Sequence, residues 1–107
     1  MASRSYHLVI STAANQKSAL TIAKALVEGK LAACVNIVKG ARSIYRWKGR
    51  IWNKAEWLLL IRTDSKLFSR VEKTILKLHP YEVPEVIGFS ITKGSKPYLK
   101  WWGGTYA

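Results

Sequence analysis

The stretch SIYRWKGRIWNKAEWLLLIRT, Ser43 to Thr63, holds two extended runs divided by Lys48, Gly49 and Arg50. Aromatic and β-branched residues on both sides favour strands, and a glycine inside a polar triplet marks the tip of a hairpin. The loop holds two residues or three, and the pairing of Trp47 and Trp52 stays open with it. The second run ends in WLLLI, Trp57 to Ile61, a continuous apolar segment of the kind found in strands covered on both faces.

Upstream, LAACVNIV, Leu31 to Val38, presents two faces, Leu31, Ala33, Val35, Ile37 and Ala32, Cys34, Asn36, Val38, neither strongly polar. It reads as another strand. Tyr6 to Thr12 is a short strand ending in β-branched residues. Ala19, Ile22, Ala23, Leu26 and Val27 then recur at helical spacing, with Asn15 as N-cap and Gly29 as a left-handed stop. Downstream of the hairpin, Asp64 or Ser65 caps a second helix with Leu67, Phe68, Val71, Ile75 and Leu78 inward, and Pro80 and Pro84 end it. EVIGFSI, Glu85 to Ile91, is a last strand, and SKPYLKWW, Ser95 to Trp102, is a short helical turn opened by a proline.

The order is βαββαβ plus a tail, within one domain of 107 residues, 1–107. It predicts an α+β, ferredoxin-like sandwich with a long β-hairpin and a short C-terminal helix. Two helices shield one side of such a sheet, yet LAACVNIV and WLLLI are apolar on both. The second side therefore needs a cover from outside the chain, and symmetric self-association is the commonest one.

Lys and Arg number 18 against 6 acids, a formal charge of +12, which attracts anionic surfaces, nucleic acid and acidic proteins at low salt. Cys34 stands alone, so no internal disulfide forms, and a reducing, cytoplasmic setting is the simpler expectation. The apolar run Leu8 to Ile10 is too short for a signal peptide, and no run approaches the length of a membrane span.

HPYEVPEV, His79 to Val86, gathers an imidazole, a phenol and two carboxylates between prolines. His79, Glu82 and Glu85 have types suited to zinc or copper, and the thiol of Cys34 favours softer ions. Pro80 and Pro84 forbid the helix that would align all three. In an extended chain Glu82 and Glu85 point apart, so at most two converge without help from another subunit. The competing structural reading has His79 ending the helix and Glu82 in a buried or interfacial ion pair. Cys34, mid-strand, reads as a small hydrophobe, and hairpin aromatics such as Tyr45 and Trp47 anchor a sheet or an interface.

Nothing in the chain carries a hydrolase elbow, a phosphate loop or a Cys and His pair close in sequence, so it reads as non-catalytic. Lys66, Arg70, Lys73 and Lys77 form a basic stripe at helical spacing that would hold nucleic acid loosely. The aromatic run that RNA-recognition strands require is replaced by EWLLLIRT, which argues against specific readout.

LVEGKLAACVNI, SIYRWKG, EWLLLIRT, HPYEVPEVI and YLKWW stand in the order and spacing of the CutA family of divalent-cation tolerance proteins, which the chain resembles from Leu8 to Trp102. The resemblance implies a homotrimer in which the long hairpin extends a neighbour's sheet, with Tyr45, Trp47, Trp57 and Tyr81 at the subunit interface. It also implies a non-catalytic role in tolerance of copper and other divalent metals, with His79, Glu82 and Cys34 as candidate ligands. Some members have cysteine at the position of Ser11 and histidine at that of Leu78, so of that copper set only His79 is present here, and weak binding or none is expected. Acids or prolines common in the family are replaced at Ala14, Gln16, Lys17, Lys39, Asn53, Lys54 and Ser90. This pattern fits either an unusual natural paralogue or an engineered scaffold whose basic surface recruits an acidic partner, with Trp52 and the small residues Ala13, Ala14 and Ala19 as the contact.

Overall fold

The structure, a computed structural model, describes residues 5–106. Strands β1 (Tyr6–Ala13), β2 (Cys34–Trp47), β3 (Arg50–Asp64) and β4 (Ile87–Ser90) form one antiparallel sheet in the order β2-β3-β1-β4. Helices α1 (Gln16–Glu28) and α2 (Phe68–Leu78) supply the two crossovers, a short 3-10 turn at Ser65–Leu67 leads into α2, and α3 (Lys96–Gly104) closes the chain. This is the α+β sandwich expected from the element order.

The core lies between the sheet and α1 and α2. Val9 and Ala13 of β1 and Leu59 and Ile61 of β3 meet Ala19, Ile22, Leu26, Val71 and Ile75, all of them 0% exposed. Asn15 caps α1 by accepting from the Ser18 N–H at 2.8 Å. The left-handed residue that ends the helix is Lys30, at φ 57, whereas Gly29 keeps φ −81. Gly29 is needed for room: a Cβ there would stand 2.9 Å from the Ala25 carbonyl oxygen. Val27 and Leu78, expected inward, are 43% and 36% exposed, each lying on its helix's flank.

Two strand limits differ from the sequence reading. Leu31 and Ala32 belong to the turn that follows α1, their N–H groups donating to the Leu26 carbonyl, so β2 begins only at Cys34. It then runs through an irregularity between Val38 and Ala41, where Gly40 takes φ 96, and becomes the first arm of the hairpin. LAACVNIV and SIYRW are thus parts of one strand. The hairpin loop has two residues, Lys48 and Gly49, at φ 51 and 77; left-handed geometry at both matches the twist of the flanking strands. Trp47 consequently faces Arg50, and Tyr45 faces Trp52. Pro84 and Glu85 precede the last strand, which is shorter than expected.

Of β3, only Trp57–Asp64 pairs with β1, so Arg50–Glu56 and Ala41–Trp47 project as a two-stranded arm, roughly 24 Å long at the strand rise. On the side of the sheet away from the helices, Leu8, Ile10, Leu58 and Leu60 are half-buried, and Val38, Ile87 and Phe89 are 43%, 46% and 50% exposed. The chain does cover one end of this side. α3, longer than the single turn expected, seats Trp102 against Tyr6 with ring centroids 5.1 Å apart and donates its indole N–H to the Thr63 carbonyl at 3.1 Å.

Candidate functional site

α2 ends at Leu78 because Pro80 has no N–H to continue the ladder and disfavours helical backbone at the residue before it. His79, at φ −82 and ψ 134, turns back under the end of β1 and is 7% exposed. Its Nε2 lies 2.6 Å from the Thr12 carbonyl oxygen, and its Nδ1 accepts the Tyr81 N–H at 3.1 Å. A carbonyl only accepts, so Nε2 carries the proton and the ring is a neutral imidazole with both nitrogens engaged.

This anchor hangs the strap 79–86 across the base of the hairpin arm. Tyr81 lies against the His79 ring, centroids 4.5 Å apart, and donates its hydroxyl to Glu56 Oε2 at 2.8 Å. Burial pushes the Tyr81 hydroxyl pKa well above its ordinary 10.0, and the hydrogen bond to Glu56 and that carboxylate's charge push the same way. Glu56 is 5% exposed although it is an acid. Glu82 is not buried within the chain: it lies 3.4 Å from Lys48 Nζ with both side chains about two-thirds exposed, an intrachain arrangement worth little.

Between strap and arm runs a groove of about 700 Å³, lined by Thr12, Tyr45, Trp47, Trp52, Glu56 and Tyr81, with Arg42, Lys54, Glu82 and Glu85 among its remaining walls. The aromatic rings are already attended by cations: Arg50 and Lys54 lie 4.2 and 5.0 Å from the Trp52 centroid, and Lys48 lies 5.7 Å from that of Trp47. Three of the four aromatics expected at a subunit interface, Tyr45, Trp47 and Tyr81, therefore share this groove. Trp57 does not; alternation puts it on the helix side, packed against the core under Lys39.

The candidate metal ligands are not brought together. Cys34 pairs across the sheet with Arg62, four residues along β3 from the Leu58 that faces Thr12, roughly 13 Å away. It is half-buried, and Arg62 donates to its Sγ at 3.6 Å and to Asn36 Oδ1. Among the described residues no three His, Cys, Asp or Glu side chains gather as a metal cage. With both His79 nitrogens bonded, this set does not fit a metal within one chain.

Other expected contacts also move. Ala13 and Ala19 lie in the core, and Trp52 is half-buried between cations, so the small-residue contact patch does not form. Lys66, Arg70, Lys73 and Lys77 are exposed on and just before α2. Sequence reasoning passed over Glu56; its signal is an acid on the threshold of an apolar strand, in a chain with only six acids.

The strand order β2-β3-β1-β4 with its two crossover helices, an overlong hairpin and a polar groove at the hairpin base defines the chain as a small ferredoxin-like α+β domain. The sequence profile described as CutA1 divalent ion tolerance protein matches residues 7–105, and the chain belongs to that family. The divalent-cation tolerance protein CutA of Thermus thermophilus is 47% identical over 94 residues, spanning 88% of this chain and 91% of that one. Protein CutA of Homo sapiens is 46% identical over 90 residues, 84% of this chain, which spans only half the length of that relative. Among solved structures, the Thermus thermophilus divalent cation tolerance protein superposes with a TM-score of 0.88 at 45% identity, covering 91% of this chain and 94% of that one. CutA from Xylella fastidiosa gives 0.92 at 36% identity, covering 95% and 98%.

Proposed function

We propose that this protein acts in divalent-cation tolerance as a non-catalytic homotrimer, in a reducing, cytoplasmic setting. The observation that carries the assembly is the uncovered side of the sheet: Leu8, Ile10, Val38, Leu58, Leu60, Ile87 and Phe89 form one apolar surface that α3 covers only at its Tyr6 end. The arm adds to it. A two-stranded hairpin is marginal alone in water, and this one also exposes Ile44 and Ile51 at 67% and 58%. Docking of arms onto neighbouring sheets relieves both faults.

The tolerance role rests on family membership. Copper, the ion the resemblance suggests, is not accommodated by His79, Glu82 and Cys34 as one chain disposes them, so a cation site of this protein is a site between chains or a weak surface one. Light scattering tests the assembly: the expected mass is about three times the 12.1 kDa chain, and a folded solution weighing one chain refutes it. Calorimetric titration of Cu²⁺ into the native protein and into His79→Ala tests the metal. Uptake that is non-saturable, or identical in the two proteins, removes His79 from the ion's path.

A further inference from the structure

Three of the chain's six acids, Glu56, Glu82 and Glu85, line the one groove at the hairpin base, on a body that carries 18 lysines and arginines. Their surroundings differ. Glu82 and Glu85 are exposed, whereas Glu56 is 5% exposed and, among the described residues, its carboxylate accepts one hydrogen bond, from the neutral Tyr81 hydroxyl. The single ion pair among the described residues is the exposed one of Lys48 with Glu82. Lys54, two residues from Glu56 on the same face of β3, lies over the Trp52 and Tyr81 rings and makes no ion pair with it. A carboxylate withdrawn from water without a counter-charge is costly and is ordinarily paired.

Strand alternation shows where the missing charge enters. Glu56 is followed on its own face of β3 by Leu58 and Leu60, and Thr12, across from Leu58, follows Leu8 and Ile10 on the same face of β1. The groove is therefore the continuation of the apolar surface that awaits another copy. Any chain seated on that surface brings its cations to the groove mouth, and the acids there complement a partner of net charge +12.

We infer that the groove is completed by a second copy of this chain, which inserts a lysine or arginine side chain that pairs with Glu56. The inference rests on the self-assembly proposed above, and it assigns that assembly an electrostatic key. Glu56 also offsets, at the contact, part of the repulsion between strongly basic copies.

The test is the assembly equilibrium of Glu56→Gln, whose amide oxygen still accepts from Tyr81, followed by light scattering and sedimentation over a dilution series. Removing one member of a buried charged pair is expected to weaken each contact roughly 30-fold or more. An unpaired Glu56 predicts the opposite sign, because neutralising a bare buried charge leaves assembly unchanged or tighter. Should the glutamine variant fail to fold, Glu56→Leu, which leaves no amide to satisfy, makes the same comparison. A native trimer whose neutral variants assemble equally well or better overturns the inference and leaves the trimer standing. A native protein that stays monomeric overturns both.

Discussion

Ser11 is the sharpest local misfit in the fold. It sits on the helix side of β1 across from Leu59, is 0% exposed, and its hydroxyl meets no partner among the described residues. An unsatisfied buried hydroxyl costs about 1–3 kcal/mol. Ser11→Ala removes that cost and leaves a hole of about one hydroxyl, roughly 15 Å³, worth about 0.4 kcal/mol at ~24 cal/mol per Å³. The net expectation is stabilisation by about 0.5–2.5 kcal/mol. With an unfolding entropy of ~2.1 cal/mol/K per residue, this chain length converts the gain to a rise in Tm of about 2–11 °C. Differential scanning calorimetry at one fixed chain concentration measures it, since a self-associating protein's Tm moves with concentration. Ser11→Cys, which fills the volume with a less polar atom, is expected to shift Tm in the same direction. A Tm for Ser11→Ala that is unchanged or lower refutes the reasoning, because it means the hydroxyl is satisfied in solution.

The raised Tyr81 pKa is visible by phenolate absorption. One tyrosine should stay protonated above its ordinary 10.0, and Tyr81→Phe should abolish that late step. Because the folded-state value lies above the unfolded one, the stability it contributes is fully present below pH 10 and is lost as pH rises towards the folded value. His79→Ala bares the Thr12 carbonyl and the Tyr81 N–H, so it should cost about 2 kcal/mol or more and speed amide exchange at Tyr81 with or without added metal; native-like exchange there would contradict the anchoring role. Gly49→Ala forces a side chain into left-handed backbone at φ 77 and should cost about 1–2 kcal/mol in chemical denaturation, whereas Gly104→Ala, in an α3 with open space around it, should not.

Much of the fold was legible because it is periodic. The spacing of Ala19, Ile22, Ala23 and Leu26 on α1 and of Val71 and Ile75 on α2 follows from which residues share a helix face. WLLLI announced a strand wanted on both faces, and its register bears that out: Leu59 and Ile61 enter the core while Leu58 and Leu60 look to the other side. Where the sequence reading slipped, a single residue's conformation was the cause. Gly40 lets one strand run through what looked like a break, and Lys30 supplies the left-handed turn that glycine was expected to make.

The groove was far less legible. HPYEVPEV showed polar groups fixed between prolines but not their partners, and those partners are the Thr12 carbonyl and Glu56, 67 and 25 residues distant from His79 and Tyr81 respectively. Hydrogen bonds act over about 3 Å and depend on direction, so a distant pair forms only if strand register and strap path both agree. Composition and periodicity thus determined the layers, the hairpin and the excess of apolar sheet, since each is a property of neighbouring residues. Tertiary structure alone decided that His79 spends both nitrogens on the backbone and that one carboxylate lies buried without a charge to answer it, because those facts belong to atoms that meet only after the chain has folded.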